Sequence, residues 1–213
     1  MQNHTWKQDG EAPSSLVLSS YKSNNDFLIA QVARLYFRPG DRIADVTFGK
    51  GVFWRAIDVT QYDFQPSDLL TVPDRPYNFR NLPYRSEVFD VHVFDPPYMH
   101  NPKPGSYLDY KNYATTRGFS HEDIIQLYRD GMIEGCRILK PGGLMLVKCK
   151  DQIESGQQRM SHIAIHDIAV NDLQMEVQDL FVLTQKNSPM IQFLQAPQHA
   201  KKNHGYLWVF KKR

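Results

Sequence analysis

The sequence predicts an α/β domain built on a mainly parallel central sheet, and three observations lead there. Short apolar runs alternate with amphipathic stretches along most of the 213 residues. A turn with two glycines, Thr47-Phe48-Gly49-Lys50-Gly51, follows the first clear strand directly. A later strand, "FDVHVFD", ends abruptly at Pro96-Pro97, because proline donates no ladder hydrogen bond and fixes its own φ.

The elements follow in chain order. Residues 1–20 read as an N-terminal arm and 21–213 as a single domain. From Asn25 to Phe37, Phe27, Leu28, Ala30, Val32, Leu35 and Tyr36 recur at roughly helical spacing, and Pro39-Gly40 stops the helix. Ile43, Ala44 and Val46 make a short strand, and a helix is expected from Val52. Residues 61–70 hold a second strand, weakened by Pro66; 76–83 suggest a third, and 89–95 a fourth. Residues 99–119 show no periodicity and read as a loop. Ser120 is a suitable N-cap, with Glu122 and Asp123 in the first turn of the helix that follows. Its apolar stripe is Ile124, Leu127, Tyr128, Met132, Ile133 and Cys136. "KPGG" at 140–143 is a turn, "LMLVKC" a continuous apolar strand, and 160–174 another amphipathic helix. Strands over 179–185 and 205–212 complete the chain.

Composition narrows the class. The chain is 41% hydrophobic, enough for one sizeable core. A net charge of +2 and a pI of about 8.4 permit a polyanionic partner without demanding one. Cys136 and Cys149 both lie in apolar surroundings, which suggests neither a disulfide framework nor a metal-binding spacing. The polar N-terminus lacks the apolar core of a signal peptide, and no apolar run approaches the ~18 residues that span a bilayer. The expectation is a soluble protein of the cytoplasm.

Open parallel sheets bind ligands beyond the carboxyl ends of their strands. That rule places the glycine turn and Asp95-Pro96-Pro97-Tyr98 in one crevice. The turn lacks the third glycine of the dinucleotide fingerprint, which weakens a dehydrogenase reading. His162 and His166 stand four apart on a predicted helix, a spacing open to metal, but no third ligand is evident. They read as packing or surface histidines, and no metal is expected.

At this level of detail the chain resembles the S-adenosylmethionine-dependent methyltransferases that modify exocyclic amino groups of nucleobases. "DVTFGKG" is similar to their cofactor loop, although the commoner form has proline where Val46 stands. "DPPY" matches their catalytic tetrapeptide, and "NFRNLPYRSEVFDVHVFDPPY" follows their run from third strand to fourth. "ILKPGGLMLVK" is similar to a helix-turn-strand found across class I methyltransferases. The resemblance covers residues 40–150 and implies a Rossmann-like class I fold, with a seven-stranded mixed sheet and helices on both faces.

It also implies roles, residue by residue. Asp45, Thr47, Phe48, Gly49 and Gly51 would form the S-adenosylmethionine loop, where a Cβ blocks close approach and φ is expected to be positive. Asp68, with Asp63 as competitor, would accept from the ribose hydroxyls. Asn78 stands where the family usually has an acid for the adenine amino group, and Phe79 would pack on the adenine ring. Asp95 and the Pro96 carbonyl would accept from the target amine, with Pro97 stiffening the turn and Tyr98 stacking on the target base. The implied acceptor is adenine N6 in DNA; cytosine N4, or a base in RNA, is the alternative. Lys103, Tyr107, Lys111 and Arg117 in the 99–119 loop, and Lys202 before the last strand, would contact nucleic acid. A non-catalytic nucleotide-binding domain is the remote alternative, and the intact tetrapeptide argues against it.

Overall fold

The computed structural model describes residues 16–98, 120–185, 199–200 and 202–213. Nine strands and three α-helices order as β1 (Ser20–Ser23), α1 (Asn25–Tyr36), β2 (Arg42–Asp45), β3 (Asp63–Pro66), β4 (Phe89–Phe94), α2 (His121–Ile138), β5 (Leu139–Cys149), β6 (Gln152–Glu154), β7 (Gln157–Arg159), α3 (Ser161–Asp167), β8 (Glu176–Gln185) and β9 (His204–Lys211) among the described residues. Seven strands form one sheet in the order β1-β8-β9-β5-β4-β2-β3, while β6 and β7 make a small separate hairpin. The β1–β8, β2–β3, β2–β4 and β4–β5 pairs are parallel. Strand β9 runs antiparallel between β5 and β8.

Alternate residues along the strands feed two cores, as a period of two requires. One face of the sheet buries Phe94, Met145, Val147 and Phe210 against α2 and α3. The other buries Ile43, Val91, Val93 and Leu146 against α1. On α1 the buried stripe is Leu28, Ile29, Val32 and Ala33, whereas Phe27 and Leu35 of the expected stripe are exposed. Helix α2 begins in a capping box between Ser120 and Asp123. It lies unusually close to β4, because a Cβ on Gly131 would fall 2.2 Å from Phe94 and one on Gly135 would fall 2.4 Å from His92.

Three expected elements differ. No α-helix starts at Val52; a single 3₁₀ turn, Val52–Trp54, stands there instead. Val52, Phe53 and Trp54 are contiguous and cannot share one face of an α-helix. A few residues on, Asp58 captures the Thr60 N–H and opens a second 3₁₀ turn, Val59–Gln61. The strand expected over 76–83 is reduced to an isolated bridge between Asn78 and Asn81, where Asn78 Oδ1 accepts from the Arg80 N–H at 3.0 Å. Such local side-chain capture competes with a ladder. The sheet still has seven strands because β1, an unexpected strand at the junction of arm and domain, pairs with β8 at the opposite edge. Finally, "KPGG" lies within β5, with Gly142 at φ 78° and a register shift against β4.

His92 on β4 is fully buried, and neither ring nitrogen has a hydrogen-bond partner. Burial pushes its pKa down to about 3. A histidine whose folded pKa lies below its unfolded value costs no stability above pH ~6.5, and costs progressively more as pH falls toward 3. Asp45, with its carboxyl pushed up to about 7, works in the opposite direction over the same window, so the wild-type curve is flattened. The comparison with His92→Leu removes that cancellation. Between pH 7 and pH 5 the unfolding free energy measured in urea should move in favour of the variant by about 2 kcal/mol. A pH-independent difference would mean that His92 is hydrated or paired.

Candidate active site

Strands β2, β4 and β5 are adjacent and parallel, so their carboxyl ends open on one side of the sheet. A cavity of about 530 Å³ lies there. Its size falls within the range of small-molecule sites.

The glycine turn forms one wall with Thr47, Phe48, Gly49 and Lys50. Gly49 and Gly51 have φ 55° and 65°, left-handed values that disfavour side chains. Backbone bonds tie this turn to the end of β3: Phe48 N–H donates to the Ser67 carbonyl at 3.2 Å. Gly49 N–H donates to Asp68 Oδ2 at 3.1 Å. The other oxygen of Asp68 accepts from the N–H groups of Leu70 and Thr71, each at 2.9 Å. Asp68 lines the cavity, while Asp63 does not; Asp63 pairs with Arg42 at 3.0 Å.

Asp45 also lines the cavity, but its carboxylate is engaged from within. Trp54 Nε1–H donates to Oδ2 at 2.6 Å and Thr47 N–H to Oδ1 at 3.1 Å. Burial is the main cause that lifts this carboxyl to about 7. The neighbouring Asp95 and Asp68 charges add to the rise, and the two hydrogen bonds oppose it. Three carboxyl groups therefore gather at this cavity, an arrangement suited to a ligand carrying positive charge.

Asp95 follows β4 directly, with its N–H donating to Thr47 Oγ1 at 2.8 Å. This bond fastens the tetrapeptide to the glycine turn. Asp95 Oδ1 is buried without a hydrogen-bond partner. Burial pushes its carboxyl up, and the Lys148 ammonium pulls it back.

Of the other expected site residues, Phe79 and Pro97 line the cavity. Phe79 meets Phe94 edge-on at 5.1 Å. Gly51, Asn78, Pro96 and Tyr98 do not line it. Asn78 is exposed and Pro96 buried, while Tyr98 is half-buried against the core around Phe94. The 99–119 segment, with Lys103, Tyr107, Lys111 and Arg117, lies outside the described residues. Lys202 is half-buried just before β9, whose start meets the carboxyl end of β5 through the Cys149–Tyr206 pair.

Two residues that the sequence did not single out belong to this region. Asn25 lines the cavity from the first residue of α1. Lys148, within the run read as continuously apolar, is 5% exposed and 3.7 Å from Asp95 Oδ1. The signal for it was the lone cation itself.

His162 and His166 are not brought to a common ligand. His162 stacks on Tyr206 at 4.2 Å with Nδ1 2.7 Å from Asp151, and His166 leans on Trp208. Among the described residues no group of three or more His, Cys, Asp or Glu could hold a metal ion. Nor is any described helix long and apolar enough to cross a membrane.

No protein-family model matches the chain, and no curated protein does. Solved structures do. The chain is similar to an S-adenosylmethionine-dependent methyltransferase from Methanosarcina mazei, with a TM-score of 0.52 and 11% identity over 85% of this chain and 96% of that one. It is also similar to TrmN from Thermus thermophilus, with a TM-score of 0.56 and 16% identity over 88% of this chain. The match covers 49% of TrmN, so the chain spans about half that protein's length. A Pyrococcus horikoshii OT3 protein matches with a TM-score of 0.51 and 13% identity over 87% of this chain and 88% of that one. The fold is the class I methyltransferase fold.

Proposed function

We propose that the protein transfers the methyl group of S-adenosylmethionine to an exocyclic amino group of a nucleobase, with adenine N6 in DNA as the acceptor. One observation carries the reading: Asp95, at the carboxyl end of β4, lines the cavity with its carboxylate partly exposed and backed by the buried Lys148 ammonium. A carboxylate has about four acceptor positions, and those on its exposed side call for N–H donors. A base amino group is such a donor.

The residues present fit the cofactor. The cavity volume, the positive-φ Gly49 against it and the Phe79 ring suit a nucleoside with an extended tail. The three carboxyl groups favour a cation, and S-adenosylmethionine when bound supplies an electrophilic methyl on a positively charged sulfur. Asp68 is the residue best placed to accept from ribose hydroxyls, since its carboxylate lines the cavity at the end of β3.

An amine conjugated to a base ring is a poor nucleophile, because its lone pair is delocalised into the ring. Asp95 accepts one N–H, and the Pro96 carbonyl, held by the rigid Pro-Pro pair, accepts the other. Together they favour a pyramidal nitrogen whose lone pair faces the methyl group. Bound S-adenosylmethionine would supply the methyl carbon and retain the C–S electrons on sulfur, and the amine would give up one N–H proton to water, with Asp95 beside it. Asp95 thus acts by positioning and electrostatics rather than as a strong base. Tyr98 offers its ring to a base that has left the stack. The preference for adenine rests on aspartate in the first position of the tetrapeptide, which the resembling family favours for that base.

The test is tritiated methyl incorporation into duplex DNA, single-stranded DNA and total RNA, followed by nucleoside identification. Label in N6-methyladenine of DNA is the expected result. Label in N4-methylcytosine or only in RNA would move the acceptor, and no label in any of them, with S-adenosylhomocysteine still bound, would overturn the nucleobase reading.

A further inference from the structure

Lys148 has no role so far, yet burying an ammonium costs several kcal/mol unless something compensates. It sits near the end of β5, on the same side of the sheet as Asp95, and its side chain is 6% exposed. Three groups of the candidate site surround its Nζ. Asp95 Oδ1 lies at 3.7 Å and Tyr98 Oη at 3.4 Å, accepting from the ammonium. The ammonium also stands 5.2 Å above the Tyr98 ring centroid and 5.7 Å above that of Phe53, itself a cavity wall. The Tyr128 hydroxyl donates to the Lys148 carbonyl at 2.7 Å and pins the backbone beneath it.

The length of the ion pair is informative. A lysine hydrogen-bonded to a buried acid would close to ~2.8 Å and occupy one acceptor position of the carboxylate. At 3.7 Å the Lys148 ammonium lies beyond hydrogen-bond distance of Oδ1 and acts on the carboxylate chiefly through its charge. We infer that Lys148 is a positioning residue: from the buried side its ammonium keeps Asp95 a carboxylate, leaving the exposed part of that side chain to face the acceptor amine, and it seats the Tyr98 ring beside it. This rests on the nucleobase reading above only in naming the amine; the arrangement of charges stands without it.

Other groups face the pair. Asp45 comes from the end of β2, Tyr128 from α2, Cys149 from β5 and Tyr98 from the tetrapeptide. Burial pushes the Tyr128 hydroxyl and the Cys149 thiol up, so both stay neutral near pH 7. Burial works against the charge on Lys148, but Asp95 and Tyr98 outweigh it and hold the ammonium protonated. Asp45, pushed to about 7, titrates within the working range, so the pH dependence of rate alone does not isolate Asp95.

The test therefore follows the Asp95 carboxyl directly, by carbon NMR of protein labelled at aspartate side chains, with Asp95→Asn assigning the signal. In the wild type the signal should be that of a carboxylate at pH 7.5. In Lys148→Met it should show protonation at a pH where the wild type remains ionised. The ratio of ionised to neutral Asp95 at fixed pH should fall about tenfold or more, the effect of removing an opposite charge at this range. Lys148→Arg should restore the wild-type titration. The rate of methyl transfer at pH 6.5 relative to pH 8.5 should fall about tenfold or more in Lys148→Met, with S-adenosylhomocysteine affinity at pH 8.5 within a few-fold of wild type. A protonated Asp95 in the wild type at pH 7.5 overturns the inference without any lysine variant, as does a folded Lys148→Met whose Asp95 titrates unchanged. If Asp95 responds as expected while no nucleic acid is methylated, the charge pair stands and the nucleobase reading falls. Methylation with an unmoved Asp95 gives the reverse.

Discussion

Asp95→Ala should lower the single-turnover rate of methyl transfer by a factor of about 10²–10³, the typical cost of one preorganised polar contact. S-adenosylhomocysteine affinity, read by calorimetry, should stay within a few-fold. The two readouts separate because Asp95 is fixed to the glycine turn through its backbone N–H and the Thr47 hydroxyl, which alanine retains. What alanine removes is the carboxylate that lines the cavity. It also leaves the buried Lys148 ammonium without its counter-ion, so thermal stability should fall and rates must be compared for folded protein. Asp95→Asn keeps one acceptor oxygen and should be milder in rate. A folded alanine variant that retains more than a tenth of the wild-type rate would show that the tetrapeptide is only a rigid strand end.

Gly49→Val should abolish measurable cofactor binding, and Gly51→Val should do so with greater loss of stability. The two glycines fail for different reasons. At Gly49 a Cβ meets only the Thr47 carbonyl, at 3.9 Å, so the obstacle is φ 55° itself. A β-branched residue in the left-handed region costs of order 1–3 kcal/mol, and relaxing the turn would release its N–H from Asp68. At Gly51 the Cβ would also stand 2.7 Å from the Phe48 ring, which forms part of the cavity wall. Gly49→Ala should lose less than Gly49→Val. Calorimetry with S-adenosylhomocysteine decides the matter: undiminished binding in folded Gly49→Val would place the cofactor elsewhere.

Local signals in the sequence carried the candidate site well. Gly49, Gly51 and the Pro96-Pro97 pair constrain the backbone where they stand, so their meaning does not wait on tertiary contacts. The alternation of elements likewise revealed the sheet. What escaped notice depends on distant partners or on one atom. Nothing in Ser20–Ser23 marks a strand; it becomes one by pairing with β8 from the far end of the sequence. Residues 76–83 look extended, but the Asn78 side chain takes the Arg80 N–H and diverts them. Val52, Phe53 and Trp54 are apolar enough for a helix and too contiguous to make an amphipathic one. Lys148 was hidden by its apolar neighbours, because a strand buried on both faces reads as uniformly hydrophobic, and the exception carries the information. Asn25 was read as the start of a helix, and only the fold turns that start toward the cavity.

The place of β9 bears on how the chain reaches this state. It follows β5 and β8 in the chain yet lies between them, so neither strand has its inner neighbour until residues 204–211 arrive. Were β4 to dock on β5 and β1 on β8 first, two rows of unpaired amide groups would face each other across a gap one strand wide. The same strand from a second molecule fits that gap as well as the chain's own. Exchange of β9 between molecules would compete with self-insertion, so refolding yield should fall as protein concentration rises.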